Sequence, residues 1–404
     1  MTKLKSPKLV YVAGEEMSRY TMEIILKSWI EPYIDTQNWQ FFDLSCISRD
    51  KTQDQVLKDV IKAGAEAKVI FKEPTITPTN EQVKEFGLSK AWGSPNGAMR
   101  RGWNGFTISR DTIHIDGIKL GYDKKVMFDR HAVGGEYGAG YKMLGQGKLK
   151  TVFEPQDGSA PIIVDERELV DNLNAAVTYH DPLDNVVDMA HHFFKRSLAV
   201  GNTPYIVTKQ TVFKWQEDFW RIFREVFDEH YLKAFNEKGL LNSTDHKLQY
   251  FLSDVATMKL IAWTKGGFSM ACHNYNGDVL TDELAQVHRS PGFISSCLIG
   301  KASDGKIIKE FEASHGTVTD MDKKRLRGEE TSMNPVGMVF ALVEALEYAD
   351  ELYDAGGEVA AFARKLYASM CKVMSGGKGT RDLAGPSGAT TEQFVAEVAS
   401  ELKK

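Results

Sequence analysis

The stretch KLVYVAGEEMSRYTMEIILKSWIEPY, Lys8 to Tyr33, changes its hydrophobic period partway along. Lys8 to Ala13 is a short apolar run closed by Gly14, the pattern of a buried strand. Helical periodicity then predicts a helix over Glu16 to Tyr33. The same alternation follows at once: Trp39 to Leu44 reads as a strand, Thr52 to Ala67 as a helix and Lys68 to Lys72 as a strand. Strands that hand over to helices in this way build layered α/β structure.

After Gly105 the pattern changes. TISRDTIHI and KKVMFDRHAV suggest strands, and the Gly-rich GGEYGAGYKMLGQGK leads into TVFEP and PIIVDE, an excursion of strands with no intervening helix. Helical patterns return at Leu183 to Val200 and in KWQEDFWRIFREVFDEHYLKAF, whose aromatic residues suit packing or a subunit interface better than a cofactor box. Strands GFISSCLIG and KIIKEFEAS come next, and helices starting near Val336, Val359 and Thr391 finish the chain. The simplest organisation is one α/β domain made from both chain ends with a second domain inserted between them. No internal repeat, low-complexity tract or long linker interrupts it.

A length of 404 residues exceeds what one simple core needs, which suits this two-part reading. Hydrophobic and charged fractions of 42% and 26% are those of a soluble globular protein. A net charge of -5 argues against a general nucleic-acid or anionic-membrane binder, so any anion site must be built locally. Met1 to Pro7 is short and basic, without a long apolar leader, and is read as the start of a cytoplasmic protein or of a processed organelle enzyme. Cys46, Cys272, Cys297 and Cys371 lie far apart without a CxxC pair, the spacing of buried reduced thiols.

Three passages carry chemistry. In SPNGAMRRGWNGFTISR, Ser94 and Asn96 offer short polar groups on a turn, while Arg100 and Arg110 are two-pronged carboxylate ligands. Arg130 follows in FDRHAVGGEY, ahead of Tyr137. Three arginines beside Gly, Ser or Asn suit a small polyanion, although each taken singly is more often a surface ion-pair partner. In NGDVLTD, Asp278 and Asp282 stand four residues apart; on a helix they share a face and can hold a hard divalent cation. The blander alternative has Asp282 and Glu283 favouring the start of a helix TDELAQVHR. Third, SHGTVTDMD, Ser314 to Asp322, begins like the wall of a nucleotide pocket and then sets two acids where a phosphate would be expected. GAGYKM lacks the third glycine of a dinucleotide fingerprint, adjacent His191 and His192 splay to different helix faces, and KKRLRGEE reads as a solvated charged segment.

ITPTNEQVKEF, SPNGAMRR, FDRHAVGGEY, VTKQT, GGFSMACHNYNGDVLTD, ASHGTVT and EETSMNP occur in the order and spacing of the homodimeric isocitrate dehydrogenases, and GEEMSRYTMEIIL also resembles that family. The resemblance implies an isocitrate/isopropylmalate dehydrogenase-like α/β fold, that of the decarboxylating β-hydroxyacid dehydrogenases: a large domain from both termini (1–104 and 288–404), a small α/β domain (105–134 and 183–287) and an intersubunit clasp (135–182). By position it implies that Thr77, Ser94, Asn96, Arg100, Arg110 and Arg130 bind isocitrate, that Tyr137 and Lys209 move protons, and that Asp254, Asp278 and Asp282 ligate Mg²⁺ or Mn²⁺. Lys209 and one metal ligand would come from the second subunit of a homodimer. Lys72, Thr75, Thr77, Asn96, His315, Gly316, Thr317, Val318, Asp320, Met321 and Asn334 would meet the nicotinamide cofactor.

The family's NADP-using members follow this loop with an Arg-His pair; Asp320 and Met321 stand there instead, Gln82 replaces an arginine, and Met333 replaces a threonine. These departures imply NAD⁺. The SPNG stretch resembles the isocitrate-binding loop, which argues against a related dehydrogenase of isopropylmalate, homoisocitrate or tartrate, and Tyr137, Lys209, Asp278 and Asp282 together argue against a noncatalytic regulatory subunit.

Overall fold

The computed structural model describes residues 2–404. In chain order its strands are β1 (Leu4–Lys5), β2 (Leu9–Ala13), β3 (Ile34–Asp35), β4 (Trp39–Asp43), β5 (Val69–Lys72), β6 (Gly105–Asp111), β7 (Met127–His131) and β8 (Gly140–Leu144). They continue as β9 (Gly147–Phe153), β10 (Ile162–Leu169), β11 (Asn174–Thr178), β12 (Thr203–Thr208), β13 (Gln249–Leu252), β14 (Phe268–Cys272), β15 (Ser295–Lys301) and β16 (Ile307–Ala313).

Ten of them form one sheet in the order β13-β12-β14-β7-β6-β15-β16-β5-β2-β4. One flank, β13-β12-β14-β7, is parallel throughout. So is the other, β16-β5-β2-β4. Between them β7, β6, β15 and β16 pair antiparallel. Each parallel flank therefore presents its own row of carboxyl strand ends, the place where open α/β sheets bind ligands. β5 and β7 are buried at every position, as strands covered on both faces should be.

Besides a short parallel β1–β3 pair, the remaining strands form an antiparallel β9–β10 hairpin and an antiparallel β8–β11 pair. Tyr141, Met143, Val152, Phe153, Ile162, Ile163 and Val164 on them are exposed. So large an apolar display on two thin ribbons is unusual for a monomer.

Three local expectations are corrected. The helix predicted over Glu16 to Tyr33 is α-helical only to Ile25; Leu26–Ile30 is a π-turn closed by Glu31 N donating to Leu26 O at 2.9 Å. The extra residue keeps Trp29 and Ile30 fully buried, with the Trp29 indole donating to Val395 O at 2.9 Å. The helix predicted from Thr52 begins at Gln55 and is preceded by another, Cys46–Lys51, whose N-cap Ser45 accepts from Ser48 N. Buried Arg49 pairs with Asp54 at 2.7 Å across the break. KKRLRGEE is not wholly solvated, because Lys323 to Leu326 complete the helix Thr319–Leu326 and Arg325 holds the buried Asp322 at 2.8 Å.

The aromatic helix Gln216–His230 buries Phe219, Phe223 and Phe227 against Phe193 and Phe194. His191 meets Tyr231 and His192 meets Ser109, on different faces. The four cysteines are free, and Cys371 alone among them is only half-buried.

Candidate active site

Arg130 is the penultimate residue of β7, and the parallel neighbour β14 pairs Cys272 with it before the chain turns into the helix Asn274–His288. Register therefore sets Arg130 beside the first turns of that helix. Arg130 Nε donates to Asn274 Oδ1 at 2.9 Å, and its Nη1 is in contact with Asp278 Oδ1. A Cβ at Gly277 would lie 2.8 Å from the Arg130 side chain, so only glycine lets the arginine lie against the helix. From β6, Arg110 Nη1 donates to Thr281 Oγ1 at 2.8 Å and to Asp278 Oδ1 at 3.3 Å, and stands 4.0 Å from Asp282. The Tyr137 hydroxyl donates to the other oxygen of Asp278, and its ring lies over the Arg130 guanidinium at 4.8 Å.

These groups line a cleft of about 910 Å³ together with Ser94, Asn96 and Arg100. Ser94 is the N-cap of the helix Pro95–Gly102, which delivers Arg100 in its last turn. Sequence base rates favoured surface arginines, whereas Arg110 and Arg130 are 7% and 1% exposed. The buried Arg110 Nε and Arg130 Nη2 have no partner among the described residues. Burial, then Arg100 and Arg110, push the Arg130 guanidinium down to about 9. Burial disfavours ionisation of Asp278, yet Arg130, Arg110, the Tyr137 hydroxyl and Arg100 outweigh it and hold that carboxyl below its usual range. Asp282 is pushed up, first by burial and then by Asp278, against the pull of Arg110. Two buried guanidiniums thus bond one half-buried carboxylate with Arg100 close by, and their unpaired N–H groups ask for a further anion.

The helix starts at Asn274, so Asp282 and Glu283 sit in its third turn and do not favour its start. Asp278 and Asp282 share a face, the hard oxygen set that a divalent cation takes. Asp254 does not join them within the chain: Lys209 Nζ donates to Asp254 Oδ1 at 2.8 Å, a pair made at the ends of β12 and β13. No cluster of three metal-ligating side chains forms among the described residues. Sequence reasoning missed Asn274 and Thr281, which flank Asp278 at helical spacing inside the very motif that supplied it.

The second row of strand ends, β2, β5 and β16, gathers the other predicted residues. Lys72 is buried and donates to Glu312 Oε2 at 2.6 Å, so its charge is spent internally. Thr75 Oγ1 reaches Asn96 at 3.5 Å, where this row meets the arginine cleft, and Thr77 is exposed. After β16, His315 Nδ1 contacts Gly316 O at 2.8 Å while its buried Nε2 has no partner among the described residues, and burial lowers its pKa. Val318 adopts φ 62°, rare for a β-branched residue, and starts the helix Thr319–Leu326 without a side-chain cap. Asp320 is exposed in the first turn and Met321 packs against the core. Asn334 donates to Asp382 Oδ2 at 2.8 Å. Met333 is buried with Thr21 Oγ1 at 3.3 Å from its sulfur, and Gln82 closes a capping box with Thr79.

Fold and cleft together define an α/β protein that takes a small polyanion beside a pair of metal-type carboxylates. The chain belongs to the isocitrate/isopropylmalate dehydrogenase family, whose sequence profile matches residues 10–398. It is 56% identical over 413 residues to isocitrate dehydrogenase [NAD(+)] 1, mitochondrial, of Phaeodactylum tricornutum, covering 100% of this chain and 75% of that one. It is 58% identical over 405 residues to isocitrate dehydrogenase (NAD(+)), mitochondrial, of Ostreococcus tauri, covering 99% and 86%. The chloroplastic/mitochondrial NADP isocitrate dehydrogenase of Arabidopsis thaliana is 35% identical, covering 98% and 81%. A crystal structure of isocitrate dehydrogenase from Ostreococcus tauri in complex with isocitrate and magnesium(II) superposes with a TM-score of 0.94 at 58% identity, covering 99% of this chain and 100% of that one. The family and fold implied by the resemblance are borne out.

Proposed function

We infer that this protein oxidises isocitrate to 2-oxoglutarate and CO₂ with reduction of NAD⁺, using Mg²⁺ or Mn²⁺. The observation that carries the reading is the convergence of Arg100, Arg110, Arg130 and Tyr137 on one cleft beside Asp278, with guanidinium N–H groups left over for an anion. Isocitrate carries three carboxylates, and buried two-pronged cations are the economical way to hold them. Ser94, Asn96 and Thr77 orient the molecule. Asp278 and Asp282 fit a divalent cation by donor type and spacing.

Held by Asp278 and Asp282, the cation would supply Lewis-acid stabilisation of charge at the C2 oxygen, and a bound nicotinamide would supply the acceptor for the C2 hydride. Lys209 takes the hydroxyl proton, the C3 carboxylate leaves as CO₂, and Tyr137 returns a proton to C3. We propose that Lys209 and Asp254 reach the site across a homodimer. The exposed apolar ribbons of 135–182 support a clasp between subunits, with the large and small domains divided as 1–104 with 288–404, and 105–134 with 183–287. Thr75, Lys72, the His315–Val318 loop, Asp320, Met321 and Asn334 would face the NAD⁺.

The NAD relatives are the more similar ones, and an exposed Asp320 disfavours a 2′-phosphate. Their mitochondrial names support the processed-organelle reading, and no helix among the described residues is long and apolar enough to cross a membrane. Spectrophotometric assay of the purified chain with isocitrate and Mn²⁺, with NAD⁺ and NADP⁺ in parallel, should show NADH formation favoured in kcat/KM. Absence of turnover would support the regulatory-subunit alternative.

A further inference from the structure

Glu16 immediately follows the Glu15 N-cap and opens the helix Glu16–Ile25 with a left-handed φ of 57°, a conformation that a non-glycine residue adopts only when its surroundings impose it. Those surroundings are visible. Glu15 Oε1 accepts from Cys46 N at 2.8 Å and its Oε2 from Ile76 N at 3.0 Å, which fixes one carboxylate toward the Cys46 helix. The next carboxylate is turned the other way. Glu16 Oε2 accepts from the Thr317 hydroxyl, and from the Thr319 hydroxyl at 2.6 Å. Between those two threonines stands Val318, also left-handed, at φ 62°. Ser18 adds two bonds to the same loop: its Oγ donates to Gly316 O at 3.2 Å and its backbone N to Thr317 O at 3.3 Å.

A β-branched residue in the left-handed region relaxes unless both sides are pinned. One oxygen of Glu16 pins both. We infer that Glu16 is a positioning residue for the dinucleotide: it holds the 316–319 loop in its strained shape and thereby sets affinity for the adenosine half of NAD⁺. The inference rests on the reading of that loop as the nucleotide wall. Glu16 itself touches no reacting atom, so its effect belongs to nucleotide binding and not to the chemistry in the arginine cleft.

The test compares Glu16→Ala, Glu16→Gln and the double variant Thr317→Val/Thr319→Val in the full-length protein. Loss of two charge-assisted bonds should raise KM for NAD⁺, and Kd for NADH read by fluorescence, about ten- to thirtyfold. In the Glu16 variants, kcat at saturating NAD⁺ should stay within about threefold and KM for isocitrate should hold, because the cleft is untouched. Glu16→Gln keeps an acceptor oxygen and should recover most of the NADH affinity. The threonine pair should reproduce the loss, and adding Glu16→Ala to it should cost little more, the signature of one shared interaction.

An unchanged NADH affinity in Glu16→Ala overturns the inference, as do parallel losses in kcat and isocitrate KM. If Glu16→Ala does not fold, the threonine pair tests the same contact from its other side, and an unchanged NADH affinity there overturns the inference equally. Asp320→Arg/Met321→His separates the two levels. If that pair leaves coenzyme preference untouched, the loop reading fails and the inference falls with it. If preference moves while Glu16→Ala binds NADH normally, only the role of Glu16 is lost.

Discussion

The two parallel flanks of the sheet each end in a row of loops, and the two rows carry opposite charge. At the ends of β7 and β14, with β6 between the flanks, Arg110 and Arg130 bond Asp278 and retain unpaired N–H groups, with Arg100 in the same cleft. At the ends of β2, β5 and β16, Lys72 is neutralised by Glu312, and Glu16 and Asp320 border the 315–320 loop. A chain with net charge -5 thus builds a cationic trap in one place and an acidic wall in another. Charge is local here: on the proposed reading one row takes a polyanion and the other disfavours an extra phosphate. This contrast can be broken at either row.

The largest effect is expected in the cationic row. Asp278 is the carboxylate on which Arg110, Arg130 and Tyr137 converge, and it is also one of the two carboxylates proposed to hold the metal. Asp278→Asn leaves three cations without their common anion and removes a hard donor. Losing a Lewis acid worth several kcal/mol of transition-state stabilisation should lower kcat/KM for isocitrate by about a thousandfold or more. Excess EDTA should abolish turnover of the unmodified protein, with recovery on adding Mn²⁺. Full activity in EDTA would remove the metal and most of the mechanism.

Next comes the question of where the cationic row ends. β12 and β13 extend it, and their ends carry the Lys209–Asp254 pair. If that pair serves a second subunit, Tyr137→Phe and Lys209→Met proteins, each near background alone, should complement. Random exchange puts half of the subunits in heterodimers with one intact site, so mixing should restore about a quarter of full activity. Demonstrated exchange without recovery would mean that each site is built within one chain.

The contrast between rows was only partly legible in the sequence. Hydrophobic period exposes β2, β4, β5, β15 and β16, because each is a compact apolar run beside a helix. β12, β13 and β14 escaped it: TPYIVT begins with a Thr-Pro pair, QYFL is four residues long, and FSMAC follows two glycines. Each is a strand because of its neighbours in the sheet, and a window along the chain does not contain them. The same limit applies at the site. Motifs named Arg110, Arg130 and Asp278, but the contacts joining them span 148 and 168 residues. Nothing local marks Glu16 as the partner of Thr317 and Thr319, 301 and 303 residues away. Residue types announced the chemistry; strand register put it together.

The smallest effect lies in the acidic row and divides it into its parts. Asp320→Arg with Met321→His both removes repulsion and supplies donors, so it should move the NADP⁺/NAD⁺ ratio of kcat/KM by between about ten- and a thousandfold, with isocitrate KM nearly unchanged. Asp320→Asn removes only the charge. The 2′-phosphate carries nearly two negative charges, but the repulsion acts through solvent beside an exposed side chain, so this variant should shift the ratio by about tenfold at most. It should also weaken NAD⁺ slightly, since a carboxylate accepts a ribose 2′-hydroxyl better than an amide does. The rival account gives the 2′-phosphate to Lys323, Lys324 or Arg325. Arg325 is already spent, held by Asp322 at 2.8 Å and stacked over Tyr20 at 4.5 Å, while Lys323 lies 3.9 Å from Glu85. Raising ionic strength separates the accounts, because a repulsive Asp320 makes salt improve NADP⁺ use, whereas phosphate-binding lysines make salt weaken it. If Asp320→Asn leaves the ratio where it was and salt weakens NADP⁺ binding, the wall is not acidic in effect and the preference for NAD⁺ has another source.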